Sequence, residues 1–223
     1  MSVDAALRAR ISTRVFLDKP LPLEELRAVL DAARWAPSGG NLQPWRMIAV
    51  SGPEREAVIE AAQKALAANP AGEADEYPIY PSPLGDLYKA RRYKVGEDMY
   101  ALLGVPREDK AGRFAWLARN FQFFDAPVGL FFVMDRTHGH GQWAHMGMLM
   151  QSIALAAQEK GIATCMQECW GMVRKSLHSH FGLAENEVIY CGMALGYADP
   201  DAAVNSLRSE RAALDEIVEF RGF

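Results

Sequence analysis

An uninterrupted apolar run at residues 128 to 134 (VGLFFVM) limits the fold more than any other stretch. Such a run is typical of a strand that is buried on both faces in the middle of a sheet. Residues 187 to 195 (EVIYCGMAL) predict another strand of this kind. Because both strands need helices to cover them, the sequence predicts an α+β fold with central strands between helices.

The spacing of apolar residues predicts the covering helices. Leu23, Leu26 and Val29 share one face of a helix over residues 22 to 35, which Pro37 ends. The pattern also predicts a strand over 46 to 50 and a helix over about 53 to 68. Further along the chain it predicts two helices within 86 to 124, which are broken near 104 to 106, and one helix over 143 to 160. Residues 69 to 83 are irregular and contain four prolines.

The chain of 223 residues, half of them apolar, is long enough for one large domain or two small ones. It contains no internal repeat and no Gly/Ser-rich linker. We therefore predict a single domain over residues 1–223, with a variable lid or insertion at about 69–125. The helix over 143 to 160 is apolar around most of its circumference, so either the rest of the domain or a second subunit must cover it. We favour a homodimer.

Charge and cysteine content exclude several classes of protein. The 24 basic and 28 acidic residues give a formal charge of -4, which argues against nucleic acid and anionic membranes as partners. The longest nearly apolar run, 146 to 157, is shorter than the roughly 20 residues that cross a bilayer. Because no apolar export signal accompanies Cys165, Cys169 and Cys191, we predict free thiols and a cytoplasmic location.

Common catalytic and metal motifs do not explain the sequence. The Cys-x3-Cys pair at 165 and 169, with His178 and His180 downstream, lacks a zinc spacing, so no metal is predicted. Residues 139 to 144 (GHGQWA) imitate a dinucleotide fingerprint, but they lie too far from the preceding strand. The chain has neither a phosphate-binding P-loop motif nor a G-x-S-x-G elbow.

Two stretches offer binding chemistry. Arg10 and Arg14 flank Ser12 in RISTR, and two planar guanidiniums around a hydroxyl can surround one phosphate, although a solvated basic turn has the same pattern. Arg208 could add a third guanidinium. Residues 36 to 45 (APSGGNLQPW) combine backbone freedom with short polar groups between a helix and a strand, which suits close approach to a flat ligand or an ordinary turn.

Three features together resemble the FMN-dependent nitroreductase family: RISTR at 10 to 14, APSGGNLQPW at 36 to 45, and the C-terminal set CMQEC at 165 to 169, GMALGY at 192 to 197 and NSLRSER at 205 to 211. The resemblance covers nearly the whole chain. It implies a nitroreductase-like α+β fold with a central, mostly antiparallel sheet flanked by helices. It also implies an intertwined homodimer that holds FMN at the subunit interface.

The resemblance also assigns roles to single residues. Arg10, Ser12, Arg14 and Arg208 would hold the FMN phosphate and ribityl chain. Pro37, Ser38, Gly39 and Asn41 would come from the partner subunit and line the flavin ring, with Gln43 nearby. The backbone at Gln167 and Glu168 would face the reactive N5 edge. The family often has an acidic or amide residue where this chain has His145, and often a glycine where it has Cys169.

The implied reaction is a ping-pong transfer of hydride from NADH or NADPH, through FMN, to a nitroaromatic or quinone-like acceptor, with no side chain as nucleophile. Aromatic residues of the insertion offer stacking surfaces for a small planar substrate, although most would pack internally: Tyr77, Tyr80, Tyr88, Tyr93, Phe121, Phe123 and Phe124. The cluster Lys89, Arg91, Arg92 and Lys94 could select an anion or form a solvated face. Dehalogenation, oxygen-dependent flavin cleavage and flavin binding without turnover remain alternatives.

Overall fold

The structure, a computed structural model, describes residues 1–73 and 77–223, so residues 74 to 76 of the predicted insertion lie outside it. The strands are β1 (Arg46–Ser51), β2 (Val128–Asp135), β3 (Ala163–Gln167) and β4 (Glu187–Gly196). The helices are α1 (Val3–Ala9), α2 (Leu23–Ala33), α3 (Gly52–Ala68), α4 (Asp86–Leu102), α5 (Lys110–Ala118), α6 (His140–Glu159), α7 (Arg174–His180) and α8 (Leu214–Ile217).

The four strands form one sheet in the order β1-β2-β4-β3, and every neighbouring pair is antiparallel. The central strand β2 is buried on both faces. Phe131 and Val133 face a core that includes Val58 of α3, whereas Leu130 and Phe132 face a second core built largely on α6. The predicted α+β class, with an antiparallel sheet between helices, is confirmed.

Most predicted elements match the structure to within a few residues. The largest shift at a helix start is at α6, which begins at His140 rather than at residue 143. The side chain of Gln142 accepts a hydrogen bond from the Gly139 N–H, and this contact helps to start the helix early. The short strand β3 lies outside the predicted elements, although its last three residues belong to the CMQEC motif.

Helix α6 packs one side against the sheet and leaves another open. Met146, Leu149 and Ile153 are fully buried, while Met148 is 45% exposed.

No helix within residues 1–73 or 77–223 has the length and apolar character that crossing a bilayer requires.

Candidate functional site

A cavity of about 610 Å³ brings together the two ends of the chain. Arg10, Ser12 and Arg14 line it from the N-terminal side, and Arg208 lines it from the C-terminal side. Arg211, which the sequence analysis did not select, lies in the same wall. Four of the residues that were predicted to bind phosphate therefore share one cavity.

Asn205 explains why these distant segments meet. Its side-chain oxygen accepts the N–H groups of Arg14 (2.9 Å) and Val15 (3.3 Å), and its amide nitrogen donates to the carbonyls of Val15 (2.8 Å) and Asp199 (2.9 Å). The Asn205 amide thus uses all of its main hydrogen-bonding capacity on backbone groups. A further bond from the Thr13 N–H to the Thr164 carbonyl (2.9 Å) fixes the N-terminal segment along β3.

Four of the five arginines that line this cavity carry positive charge that no described side chain neutralises, whereas the fifth, Arg8, pairs with Asp4 at 2.9 Å. Among residues 1–73 and 77–223, Arg10, Arg14, Arg208 and Arg211 form no ion pair with a carboxylate. Three of them donate to oxygens in their own segments, as Arg14 does to the Ser12 carbonyl at 3.2 Å. The buried Nε of Arg10 has no hydrogen-bond partner. Burial, and then the charge of Arg211, lowers the pKa of Arg10. The cavity is therefore suited to a polyanionic group such as a phosphate.

A second cavity, of about 660 Å³, adjoins the first at Arg14, which lines both. The end of β3 and the turn that follows it form part of the wall, through Gln167, Glu168 and Cys169. Arg14 therefore lies between a cationic cavity and one that also has aromatic and sulfur-containing side chains in its walls. A ligand with a phosphate at one end and a flat ring at the other matches this arrangement.

The side chain of Gln167 is committed to the protein interior. It is 1% exposed, donates through Nε2 to the Asn120 carbonyl (2.8 Å), and accepts from the indole N–H of Trp170 (3.3 Å). Trp170 packs so closely on Gly192 of β4 that a Cβ there would lie 2.4 Å from the indole. These contacts fix the end of β3, and any contact of Gln167 with a ligand falls to its backbone.

Ionisable groups beside Gln167 are shifted toward their neutral forms. Burial raises the pKa of Glu168, and the charge of Arg174 partly opposes the shift. Burial also raises the pKa of Cys169 well above its usual range, so this thiol is protonated near neutral pH and is a poor nucleophile. Across the described chain, no group of three or more His, Cys, Asp or Glu side chains is arranged to hold a metal ion.

The aromatic residues of the predicted insertion divide into two groups. Tyr80 and Phe124 line the second cavity, together with Tyr100 and Trp116, which the sequence analysis did not select. The others are placed elsewhere: Phe121 and Phe123 pack around Trp170, Tyr77 packs against Trp143, and Tyr88 and Tyr93 are exposed. Four of the seven pack in the cores, as expected for most of them, namely Tyr77, Phe121, Phe123 and Phe124, whereas Tyr80, Tyr88 and Tyr93 are exposed.

The loop with Pro37, Ser38, Gly39, Asn41 and Gln43 lies apart from both cavities of its own chain, since none of these residues is among their described linings. The Ser38 hydroxyl accepts the Gln43 N–H at 3.0 Å, and the Gln43 amide donates to the Asn41 carbonyl at 3.3 Å. The assignment of this loop to the flavin of a partner subunit stays a prediction.

His145 of α6 anchors this loop. Its Nε2 accepts the Gly39 N–H at 3.1 Å, which requires the ring proton to lie on Nδ1. A Cβ at Gly39 would lie 3.1 Å from Cε1 of the imidazole, so the absence of a side chain permits this approach. No local sequence pattern can pair residues that lie 106 positions apart.

Comparison with known proteins places this geometry in context. The model of the nitroreductase family matches residues 7–197. The chain is 37% identical to the nitrobenzene nitroreductase of Ectopseudomonas oleovorans over 98% of its own length and 96% of the relative's. It is 35% identical to the 4-nitrobenzoate reductase of Pseudomonas putida, over 99% and 96% of the two chains.

A solved structure is similar throughout. The FMN- and NADPH-dependent nitroreductase NfnB from Sphigopyxis sp. strain HMH is 42% identical and covers 100% of each chain, with a TM-score of 0.97. The similarity therefore extends over all the segments that line the two cavities.

Proposed function

The chain belongs to the nitroreductase family, and from that membership we propose that it is an FMN-dependent oxidoreductase that uses NADH or NADPH to reduce nitroaromatic acceptors. The observation that carries this proposal is the junction at Arg14. One side of that residue is a cavity in which Arg10, Arg14, Arg208 and Arg211 have no carboxylate partner among the described residues, while a fifth arginine, Arg8, pairs with Asp4. The other side is a cavity with aromatic walls.

FMN fits the first cavity by charge. The phosphate would compensate Arg10, Arg14, Arg208 and Arg211, and it would offer an acceptor to the unpartnered Nε of Arg10. Ser12 adds a hydroxyl to the same wall. When bound, FMN supplies a carrier that accepts hydride from NADH or NADPH and passes it to the acceptor in a ping-pong cycle.

The protein's part in the reaction is to position the ring and to exclude water. We assign the backbone at Gln167 and Glu168 to the reactive edge of the ring, because the side chain of Gln167 is fully used in fixing the end of β3. The carboxyl of Glu168 lines the same cavity, and burial raises its pKa.

We propose further that two copies form an intertwined homodimer in which Pro37, Ser38, Gly39, Asn41 and Gln43 reach the partner's flavin. Two features support this assembly. The loop contacts α6 through His145 near the exposed Met148, and the C-terminal segment exposes large apolar side chains. They are Leu214, Ile217, Phe220 and Phe223. Exposed apolar groups of this number are typical of a surface that another chain covers.

The three free cysteines, two of them buried, support a cytoplasmic location, where thiols stay reduced. The two cores of the chain lie on opposite faces of the same sheet, and we therefore propose that residues 1–223 work as one domain.

Sedimentation of the purified protein tests the proposed homodimer, since a monomer at micromolar concentration would contradict it.

The function is tested with the purified, flavin-loaded protein under nitrogen. NADH or NADPH should bleach the yellow colour, a nitroarene should restore it, and chromatography should detect the hydroxylamine product. Flavin that stays oxidised with both nucleotides would indicate a binding protein without turnover. Oxygen-dependent loss of the flavin, or release of halide from a halogenated arene without nitro reduction, would support the alternative reactions.

A further inference from the structure

The basic cluster on α4 is divided into paired and unpaired cations. Lys89 bonds to Asp86 at 3.3 Å, Arg91 lies 3.7 Å from Glu216, and Lys94 contacts Asp98 and Glu210 at 2.8 and 3.1 Å. These acids belong to α4 itself or to the C-terminal segment. Arg91 and Lys94 therefore connect the helix to the C-terminal segment, whereas Lys89 pairs within the helix.

Arg92 differs from its neighbours in both direction and partners. Within residues 1–73 and 77–223 no carboxylate pairs with it, and it lines the second cavity, which none of the three paired cations does. Its guanidinium lies over the ring of Tyr80, with Cζ 4.1 Å from the ring centroid. This stacking holds the guanidinium plane in place and leaves its edge donors free.

The cavity around Arg92 is shaped for a planar ring. Tyr100, Trp116 and Phe124 supply aromatic surface, and Met99 and Met172 line the same cavity. Arg113 backs the Tyr100 ring at 4.2 Å, but a bidentate contact with Glu97 already neutralises it. Apart from Arg14, which lies at the phosphate end, Arg92 is thus the cation of this cavity, among the described residues, that remains open to a ligand.

The remaining charged group in the cavity wall is the carboxyl of Glu168, which would repel an anion when ionised. Burial favours its neutral form and weakens this repulsion. The electrostatic balance of the aromatic cavity therefore favours a ligand that is flat and negatively charged.

We propose that Arg92 binds the carboxylate of the acceptor, and that the enzyme consequently prefers anionic nitroarenes, such as nitrobenzoates, over neutral ones. This inference rests on the proposed nitroreductase function. A bidentate bond between guanidinium and carboxylate is charge-assisted, and the Tyr80 stack reduces the freedom that Arg92 loses on binding.

Paired acceptors and paired variants test the proposal. 4-Nitrobenzoate and 4-nitrobenzamide have nearly the same shape and differ in charge, so the ratio of their kcat/KM values measures recognition of the anion. Arg92→Gln should lower this ratio about 10- to 100-fold, the usual effect of losing one charge-assisted pair. Arg92→Lys, which keeps the charge but lacks the planar fork, should give an intermediate ratio. The control Arg91→Gln, at a cation directed to Glu216, should leave the ratio unchanged.

A binding measurement separates this proposal from the proposed function. Equilibrium dialysis of the oxidised protein with benzoate and benzamide, which cannot be reduced, should show tighter binding of benzoate to the wild type and loss of that preference in Arg92→Gln. Equal binding of the two ligands by the wild type would overturn the role of Arg92 even if nitroarenes are reduced. A preserved benzoate preference without any turnover would overturn the nitroreductase function alone.

Two kinetic outcomes also contradict the proposal. Equal loss of activity toward both acceptors would assign Arg92 a structural role. An increase in KM for NADPH but not for NADH, with an unchanged acceptor ratio, would show that Arg92 instead binds the 2′-phosphate of the nucleotide.

Discussion

Replacing Asn205 by Ala should weaken both the fold and cofactor retention, because one amide joins the two ends of the chain. Asn205 is 9% exposed and makes four hydrogen bonds to backbone groups of residues 14, 15 and 199. Truncation removes all four bonds without changing the charge of the cavity. The Arg14 side chain would remain present but would lose the anchor of its own backbone N–H.

The expected loss in the free energy of unfolding follows from the four hydrogen bonds that the substitution removes. Each contributes about 1 kcal/mol net, which gives about 4 kcal/mol if every released group stays dry. The bonds are partly buried, so water can reach some of the released groups, and about 2 to 3 kcal/mol is the expected loss. In a chain of this length such a loss lowers Tm by about 4 to 12 °C. A domain with ordinary stability of about 5 to 15 kcal/mol would still fold.

The assay is thermal unfolding of the apo and FMN-loaded protein, together with titration of FMN into the apo protein. Asn205→Ala should lower Tm in both forms and weaken FMN binding at least about tenfold, since misplacing the phosphate contacts costs one charge-assisted bond or more. The control Ser206→Ala removes an exposed bond from the next residue and should behave like the wild type. Wild-type Tm and FMN affinity in Asn205→Ala would refute the idea that this amide assembles the cavity.

Three further predictions concern the phosphate cavity, the loop at Gly39 and an ion pair of the sheet. Arg14→Ala or Arg208→Ala should weaken FMN binding by about 1.5 to 3 kcal/mol in a flavin titration while leaving the circular dichroism spectrum unchanged, and unaltered affinity in both variants would contradict the phosphate assignment. Gly39→Ala should displace the loop from α6, because the new Cβ would lie 3.1 Å from the imidazole of His145; weaker flavin retention by the dimer is expected, and full retention would remove the loop from the site. The hydrogen bond from Arg46 holds the pKa of Glu187 below its ordinary value, so this carboxylate stabilises the fold above about pH 4.3 and the contribution is lost as the pH falls through the lowered pKa. Glu187→Gln should therefore have a lower Tm than the wild type at pH 7, and the difference in Tm should disappear in acid. A difference in Tm that grows as the pH falls would contradict a lowered pKa of Glu187 in the folded protein.

The parts of the fold that the sequence predicted are those with a local signal. The apolar run of β2 and the helical spacing of α2 depend on neighbours within a few residues, and both are where the pattern put them. Strand β3 (ATCMQ) is short and alternates poorly, and it is held as an edge strand by pairing with β4. Its strand conformation comes from that tertiary contact, which no local pattern reveals.

The residues of the site were likewise predictable only where the sequence carries a local signal. RISTR suggested an anion site because its arginines are close in sequence, and the structure brings Arg208 to the same cavity. Asn205 and the loop contact of His145 could not be found, because each joins residues more than 100 positions apart through one side chain. Arg92 was noticed only as a member of a charged run, since its difference from Arg91 depends on which helix face each occupies.

Cofactor binding and folding are coupled at Arg14. Its backbone N–H is held by Asn205, and its guanidinium lines both cavities, so the geometry that receives a phosphate exists only when the chain ends are joined. A ligand that binds only this arrangement stabilises it, by about 2.7 kcal/mol at a free concentration 100 times its Kd. In the apo protein these arginines lack carboxylate partners among the described residues, and burial, then the charge of Arg211, lowers the pKa of Arg10. FMN should therefore raise the Tm of the wild type more than that of Arg208→Ala, because the variant has one fewer bond to the phosphate.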